Sequence, residues 1–260
     1  MSRYFDIVRP TYIENWPSKL CSLSVAQIGI LLTADDVWTL GRNIVELGIM
    51  FEEREDCPKV KQNPSTLIMR MDEVITKFPD GCFVRLGSRS PKDSWLAHKK
   101  GLRITTGEEA WKMLTDVSER VMEDLLLAID NSYSPWIFLR QWLHIPKWAE
   151  FRCFMQNRQL VGISQYHHLE DETFSDLVAR AGSFEWTIKQ FFPAFSAACH
   201  LDSVVFDVFV KGREMRKNRW IWEVKLLEIN PFFEMTDPCL FDWRKPFDGS
   251  FRFAKKENER

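Results

Sequence analysis

At 260 residues and 30.8 kDa, with 45% hydrophobic residues, the chain is long enough to bury a sizeable core as one large domain or two small ones. A formal net charge of −2 removes any chain-wide electrostatic case for nucleic acid or membrane, so a basic site has to be local. Six cysteines, Cys21, Cys57, Cys82, Cys153, Cys199 and Cys239, are scattered without a CxxC pair; they read as reduced thiols of a cytosolic protein and offer no zinc-ligand spacing.

The start, MSRYFDIVRP, is charged and lacks the apolar stretch of a signal peptide. No apolar run approaches the ~20 residues of a membrane helix, so the expected location is the cytoplasm. TADDVWTLGRNIVELGIMFEER then places Val37, Leu40, Ile44, Leu47 and Met50 at helical spacing behind a Thr33 N-cap. A polar break, EDCPKVKQNPS, precedes a second helical pattern through Met69, Met71 and Val74. CFVRLGSRS reads as a short strand running into a Gly/Ser loop. TGEEAWKMLTDVSERVMEDLLLAI predicts one long helix, with Thr106 and Glu109 at capping-box spacing and Trp111, Leu114, Val117, Val121 and Leu125 on one stripe.

From residue 136 the period changes to two. WIFLRQWL is followed by AEFRCFMQ and QLVGISQYHH, which join at Asn157 and Arg158 as a hairpin. A helix is expected over roughly 172–200, kinked or divided at Pro193. Two strands close the chain, and the polar AKKENER at 254–260 is expected to fray. Helices first and antiparallel strands later predict an α+β fold. The boundary falls near residue 135, between a mainly helical N-terminal subdomain, 1–135, and a sheet-rich C-terminal one, 136–253.

The closing strands carry the chemistry. VVFDVFV, 204–210, has Asp207 at its centre, and LLEINPFF has Glu228 and Asn230 two apart. A hairpin with its tip at Lys217 and Asn218 sets 207 opposite 228, and alternation then gathers Asp207, Glu228 and Asn230 on one face. A slip of one residue would break the group. Two carboxylates and an amide are hard oxygen ligands suited to Mg²⁺ with phosphate. The same spacing equally allows a buried ion network, with Arg152 or Arg140 neutralising the acids.

FVRLGSRSPKDSW, 83–95, packs Arg85, Arg89 and Lys92 around Gly87, Ser88 and Ser90, the parts of an anion cradle, although it is neither a Walker A nor a GxGxxG loop. A solvated basic loop is the plainer reading, with Lys99, Lys100 and Arg103 extending the positive segment on the surface. Arg140 with Trp142, and Glu150 with Arg152, lie two apart on strand faces, either as a salt-bridged surface or as a charged lining for phosphates. His167 and His168 are neighbours, face opposite sides of a strand and read as structural.

Taken in order, FVRLGSRSPKDSW, FLRQWLHIPKWAEFRCFMQNRQLVGISQYHH, VVFDVFV and LLEINPFFEMTDPCLFDW resemble the cell division cycle protein 123 family, which has an ATP-grasp fold. The resemblance runs from about 83 to 243 and is much fainter before residue 80. It implies a nucleotide cleft between the two subdomains, with ATP and Mg²⁺ as cofactors. Asp207, Glu228 and Asn230 fall at the metal positions, and Arg85 and Lys92 where cations contact phosphate. Arg140, Trp142 and Leu143 lie in the segment whose backbone holds adenine, and Arg152 would face the triphosphate.

The resemblance also implies a chaperone role: eukaryotic members help assemble translation initiation factor 2 by binding its gamma subunit, without an established ligase product. No membrane or direct nucleic-acid partner is expected. Glu228 stands where those members usually have Asp, which keeps open an ATP-dependent ligase acting through an acyl phosphate on an unidentified carboxylate. Arg85 stands where Lys is common, a planar fork in place of a point charge. The longer acidic tail of many relatives is not seen. A third reading makes the nucleotide a purely structural cofactor.

Overall fold

The computed structural model describes residues 3–59, 63–169, 173–216 and 219–255. In chain order the elements are α1 (Arg3–Val8), α2 (Ser18–Cys21), β1 (Gln27–Leu31), α3 (Ala34–Arg42), α4 (Val45–Glu52), α5 (Ser65–Ile75), β2 (Cys82–Leu86), α6 (Trp95–Lys100), α7 (Gly107–Thr115), α8 (Glu119–Asp130) and β3 (Trp136–Gln141). There follow β4 (Glu150–Gln156), β5 (Gln159–Gln165), α9 (Ser175–Ala198), β6 (Val204–Arg216), β7 (Arg219–Pro231) and β8 (Phe251–Arg252). The fold is α+β, as expected, with a three-stranded sheet ordered β1-β3-β2 and a five-stranded sheet ordered β7-β6-β4-β5-β8. Among the described residues these strands pair antiparallel except β5 with β8.

The chain divides into two compact units, 1–14 with 26–143, and 15–25 with 144–260. The change of period at residue 136 suggests a boundary there, yet β3 belongs to the first unit. It is the central strand between β1 and β2, so its backbone hydrogen bonds are made inside the N-terminal unit. β1 itself escaped the sequence reading, because five residues interrupted by Gly29 give alternation too little length to register.

In the first unit, the single helix expected over 33–54 is two. Thr33 caps α3 in a reciprocal box with Asp36, at 3.1 and 2.9 Å. Asn43 then folds its amide onto the Thr39 carbonyl at 2.8 Å, and Ile44 is extended. The break lets α4 fold back so that Phe51 packs on Gly41 and meets Trp38 edge-on at 4.6 Å. Phe51 is therefore the buried residue there, and Met50 is exposed.

The long helix expected from Thr106 is likewise α7 and α8. Asp116 leaves the helix to accept from the Leu96 N–H at 2.6 Å, and the Ser118 hydroxyl accepts from Val121 N at 3.3 Å to start α8. Short polar side chains here outcompete the helix for backbone groups, and Val117, on the expected stripe, is exposed. The first unit's core packs α3, α4, α5, α7 and α8 against Val84, Leu86, Ile137 and Leu139 of the sheet.

In the second unit, Asn157 and Arg158 have φ of 47° and 61°, the left-handed pair a two-residue hairpin needs, and β4 and β5 pair as expected. α9 runs through Pro193 as one helix of 24 residues, bounded more tightly than the expected 172–200. Its Phe184, Ile188 and Phe195 are fully buried, with Phe195 stacked on Phe206 at 3.9 Å. That packing outweighs the hydrogen bond lost at proline. The opposite side of the sheet is closed at one end by Phe154, Val205 and Phe241, with Phe232, Trp243 and Phe247 against them. Gly162 is required there, since a Cβ would lie 2.7 Å from the Phe241 ring.

The tip of the last hairpin, Lys217 and Asn218, lies outside the described residues, as do 256–260 of the polar tail. The pairing Asp207↔Glu228 is observed, reached by a route the sequence did not indicate. One irregularity between Gly212 and Glu214 shifts the register by a residue, and a second between Asp207 and Val208 shifts it back. At the second, Leu226 donates its N–H to Leu23 O at 2.9 Å and accepts from the Ser24 hydroxyl at 2.7 Å. Among the described residues no helix is long and apolar enough to cross a membrane.

Candidate functional site

α9 covers the face of β6 that carries Phe206, so alternation turns Asp207 to the other face. On that face Arg152 of β4, Asp207 of β6 and Glu228 of β7 stand at successive paired positions, and Asn230 follows two residues on. Four of the residues singled out by sequence are thus brought together on three adjacent strands.

Asp207 is 1% exposed, and Arg152 meets it with two parallel bonds, Nε to Oδ1 and Nη2 to Oδ2, both 2.8 Å. Arg152 also donates from Nη1 to the Asp237 carbonyl at 2.9 Å and lies 4.9 Å over the Tyr166 ring. The ion pair that the strand acids allowed is therefore present, with Arg152 as the partner. Burial pushes the Asp207 carboxyl above its usual range; Arg152 opposes this, while Glu228 and Glu150 add like-charge repulsion. Glu150 in turn meets His167 Nε2 at 3.1 Å.

This donor set fits a hard cation bound with phosphate. Asp207 and Glu228 offer carboxylates from opposed positions, and a cation at Asp207 replaces the charge that Arg152 now supplies. The buried Nδ2 of Asn230 has no hydrogen-bond partner, and an acceptor oxygen of a bound phosphate would satisfy it.

Arg85, Lys92, Arg140, Trp142 and Leu143 belong to the first unit. Arg85 and Arg140 share the face of the three-stranded sheet opposite the helical core, since Arg85 pairs with Phe138 and Arg140 with Phe83. Both are buried, at 3% and 1% exposure, and Arg140 lies 5.6 Å from the Phe83 centroid. Arg85 donates to its own loop, to Leu86 O at 3.0 Å and Ser88 O at 2.8 Å. Arg89 is committed to Asp124 at 2.7 Å and Glu123 at 2.8 Å. Gly87 admits the Glu14 carboxylate where a Cβ would stand. Lys92 is exposed, Leu143 is half-buried, and Trp142 donates its N–H to Gly81 O at 3.2 Å.

Sequence reasoning passed over Tyr166 and Asp237 as parts of the acidic face, and read Glu150 with Arg152 only as a salt-bridged surface or a lining for phosphates. Glu150 had a signal, its i, i+2 spacing to Arg152. Asp237 had none, because it reaches Arg152 through a backbone carbonyl in a loop.

The architecture and this acidic sheet face define the chain as a two-unit α+β protein with a candidate cation site on its larger sheet. The D123 family model matches residues 50–258, and the chain belongs to that family. It is 27% identical over 191 residues to a translation initiation factor eIF2 assembly protein of Xenopus laevis, covering 68% of this chain and 52% of that protein. It is 26% identical over 206 residues to the protein of the same name from Schizosaccharomyces pombe, covering 74% and 60%. A putative CDC123-like protein of Acanthamoeba polyphaga mimivirus is 27% identical over 187 residues, 71% of this chain and 56% of that one. The chain spans about half the length of the curated relatives it matches. The structure of Cdc123 from Schizosaccharomyces pombe superimposes with a TM-score of 0.70 at 23% identity, over 94% of this chain and 91% of that one, so the two share a fold.

Proposed function

We propose that the chain is an ATP·Mg²⁺-binding protein of ATP-grasp type that serves the assembly of translation initiation factor 2 by binding its gamma subunit. The observation that carries the nucleotide part is the convergence of Asp207, Glu228 and Asn230 on one sheet face, with an unsatisfied amide among them. The names of the matched relatives support the partner class.

In this reading Asp207, Glu228 and Asn230 hold Mg²⁺, which neutralises phosphate charge when bound. Arg152 exchanges its carboxylate partner for triphosphate oxygens, to which its planar fork is equally suited. Arg85 and Lys92 contact phosphate, and the segment of Arg140, Trp142 and Leu143 holds adenine. The test is calorimetric titration of ATP with Mg²⁺ into wild type, Asp207→Asn and Glu228→Gln. Each variant should bind at least about tenfold more weakly, and unchanged affinity in both would sink the assignment. Capture of the purified gamma subunit is expected to depend on ATP, and no capture in either state overturns the partner.

Glu228 favours one alternative, an ATP-dependent ligase acting through an acyl phosphate, because a Glu stands opposite Asp207 where the chaperone members of the resembled family usually have Asp. Steady ADP release on adding carboxylate acceptors, without capture of the gamma subunit, would decide for it.

A further inference from the structure

A second set of donors lies in the second unit, on side chains that the nucleotide reading does not use. His168, Asp237 and Cys239 place a ring nitrogen, a carboxylate oxygen and a thiol sulfur within 4.8 Å of one another. His168 Nε2 is 3.8 Å from Asp237 Oδ1. Two ligands on one tetrahedral ion, with bonds of about 2.0–2.3 Å, stand roughly 3.3–3.8 Å apart, so small side-chain movements would close the set on a cation.

The orientation of the donors is already set. His168 Nδ1 is 2.9 Å from the Tyr166 carbonyl oxygen. A carbonyl can only accept, so Nδ1 carries a proton, and Nε2 is the ring nitrogen left on the side of Asp237 to act as a ligand. Metal-ligating histidines are commonly held this way, by a backbone carbonyl on the nitrogen away from the ion. The same Tyr166 oxygen accepts from the Cys239 thiol at 3.8 Å. Asp237 Oδ1 accepts from the Cys239 N–H at 2.8 Å, which keeps carboxylate and sulfur together.

Burial and charge suit a divalent ion. The His168 side chain is 12% exposed and that of Asp237 53%, so the cluster has a closed side and a side open to water. Burial pushes the Cys239 thiol up to about 12, and Arg152 opposes the rise. A bound metal displaces that proton to solvent, leaving a thiolate and a carboxylate against two positive charges. The charge of Arg152 is itself spent on Asp207.

We propose that His168, Asp237 and Cys239 form a three-ligand site for a borderline divalent transition ion such as Zn²⁺, with water in the fourth position. The mixed nitrogen, oxygen and sulfur set selects against Mg²⁺ and Ca²⁺, which take oxygen ligands. The scattered cysteines hid the site, because its ligands are an Asp-x-Cys pair and a histidine in the segment that follows β5 in place of paired cysteines. It shares no metal ligand with the proposed ATP site and stands or falls separately.

The test uses the full chain, stripped with chelator and titrated with Co²⁺. One equivalent should give the near-ultraviolet band of cobalt–thiolate bonding, which Zn²⁺ abolishes by displacement and millimolar Mg²⁺ leaves intact. Cys239→Ser should lose the band, and His168→Gln should weaken Co²⁺ binding by about 100-fold, while both keep the wild-type unfolding midpoint in metal-free buffer. Should either fold poorly, Cys239→Ala and Asp237→Asn supply the same comparison. Absence of the band in wild type, or a band of equal strength and affinity in the variants, overturns the proposal and leaves His168 and Asp237 as a simple polar pair.

Discussion

The acidic face of β4, β6 and β7 and the basic loop of 85–92 are both dense in charge, yet they resolve it differently. In the sheet, partners are dictated by register: Arg152 stands opposite Asp207, and Asp207 opposite Glu228. In the basic segment, Arg85 at the end of β2 turns onto the backbone that follows it, and Arg89 in the loop reaches across to Asp124 and Glu123 on α8. Charges on paired strands meet through local geometry. Charges on a loop are settled by whatever element packs beside them, so sheet partners can be anticipated from spacing and loop partners cannot.

The contrast is sharpest when one partner of each pair is removed. Arg152→Met should destabilise the protein by about 3–5 kcal/mol in urea denaturation, because it leaves Asp207 buried without its countercharge. Adding Asp207→Leu to the same chain should recover most of the loss. A single-variant cost below about 1 kcal/mol would mean that water or another cation replaces Arg152, and the buried-pair reading would fail.

Arg89→Ala should cost less, about 1.5–3 kcal/mol, the range for hydrogen bonds to a charged group. The Arg89 side chain is 25% exposed, and Asp124 keeps its bond from the Ser88 hydroxyl. An effect as large as that of Arg152→Met would erase the distinction between sheet and loop.

How much was legible follows the same physics. The hairpin at Asn157 and Arg158 came from alternation and turn chemistry, which act over a few residues, whereas the opposition of Asp207 to Glu228 came from counting back from a tip at 217 and 218 and holds because two register shifts cancel. The helix breaks at Asn43–Ile44 and Asp116–Ser118 were not read, since the apolar stripes continue across both. What breaks them is Phe51 folding onto Gly41 and Asp116 capping α6, contacts between segments. In the candidate site, the metal-type residues were legible as a same-face set, but Arg152's carbonyl partner at Asp237 and the His168–Asp237–Cys239 cluster depend on a loop with no periodicity. The capping account is checked by Ser118→Ala, which should cost about 1 kcal/mol through loss of the N-cap. No loss would mean that α8 is started by packing alone.

The smallest expected effect concerns Glu14, whose carboxylate lies against Gly87 in the basic loop and accepts from the Tyr133 hydroxyl at 2.8 Å. Burial raises its carboxyl above the ordinary 4.5, with the Tyr133 bond and the Arg85 charge opposing. A raised folded value means that the native state holds a proton more tightly than the unfolded chain, so its contribution is full below the unfolded value and is lost as pH rises through the folded one. Glu14→Gln keeps an acceptor for Tyr133 and cannot ionise. Its melting temperature should therefore match wild type near pH 4 and exceed it by about 2 °C at pH 8. A gain that shrinks as pH rises would show that Arg85 holds Glu14 ionised, making the loop, like the sheet, a site of paired buried charge.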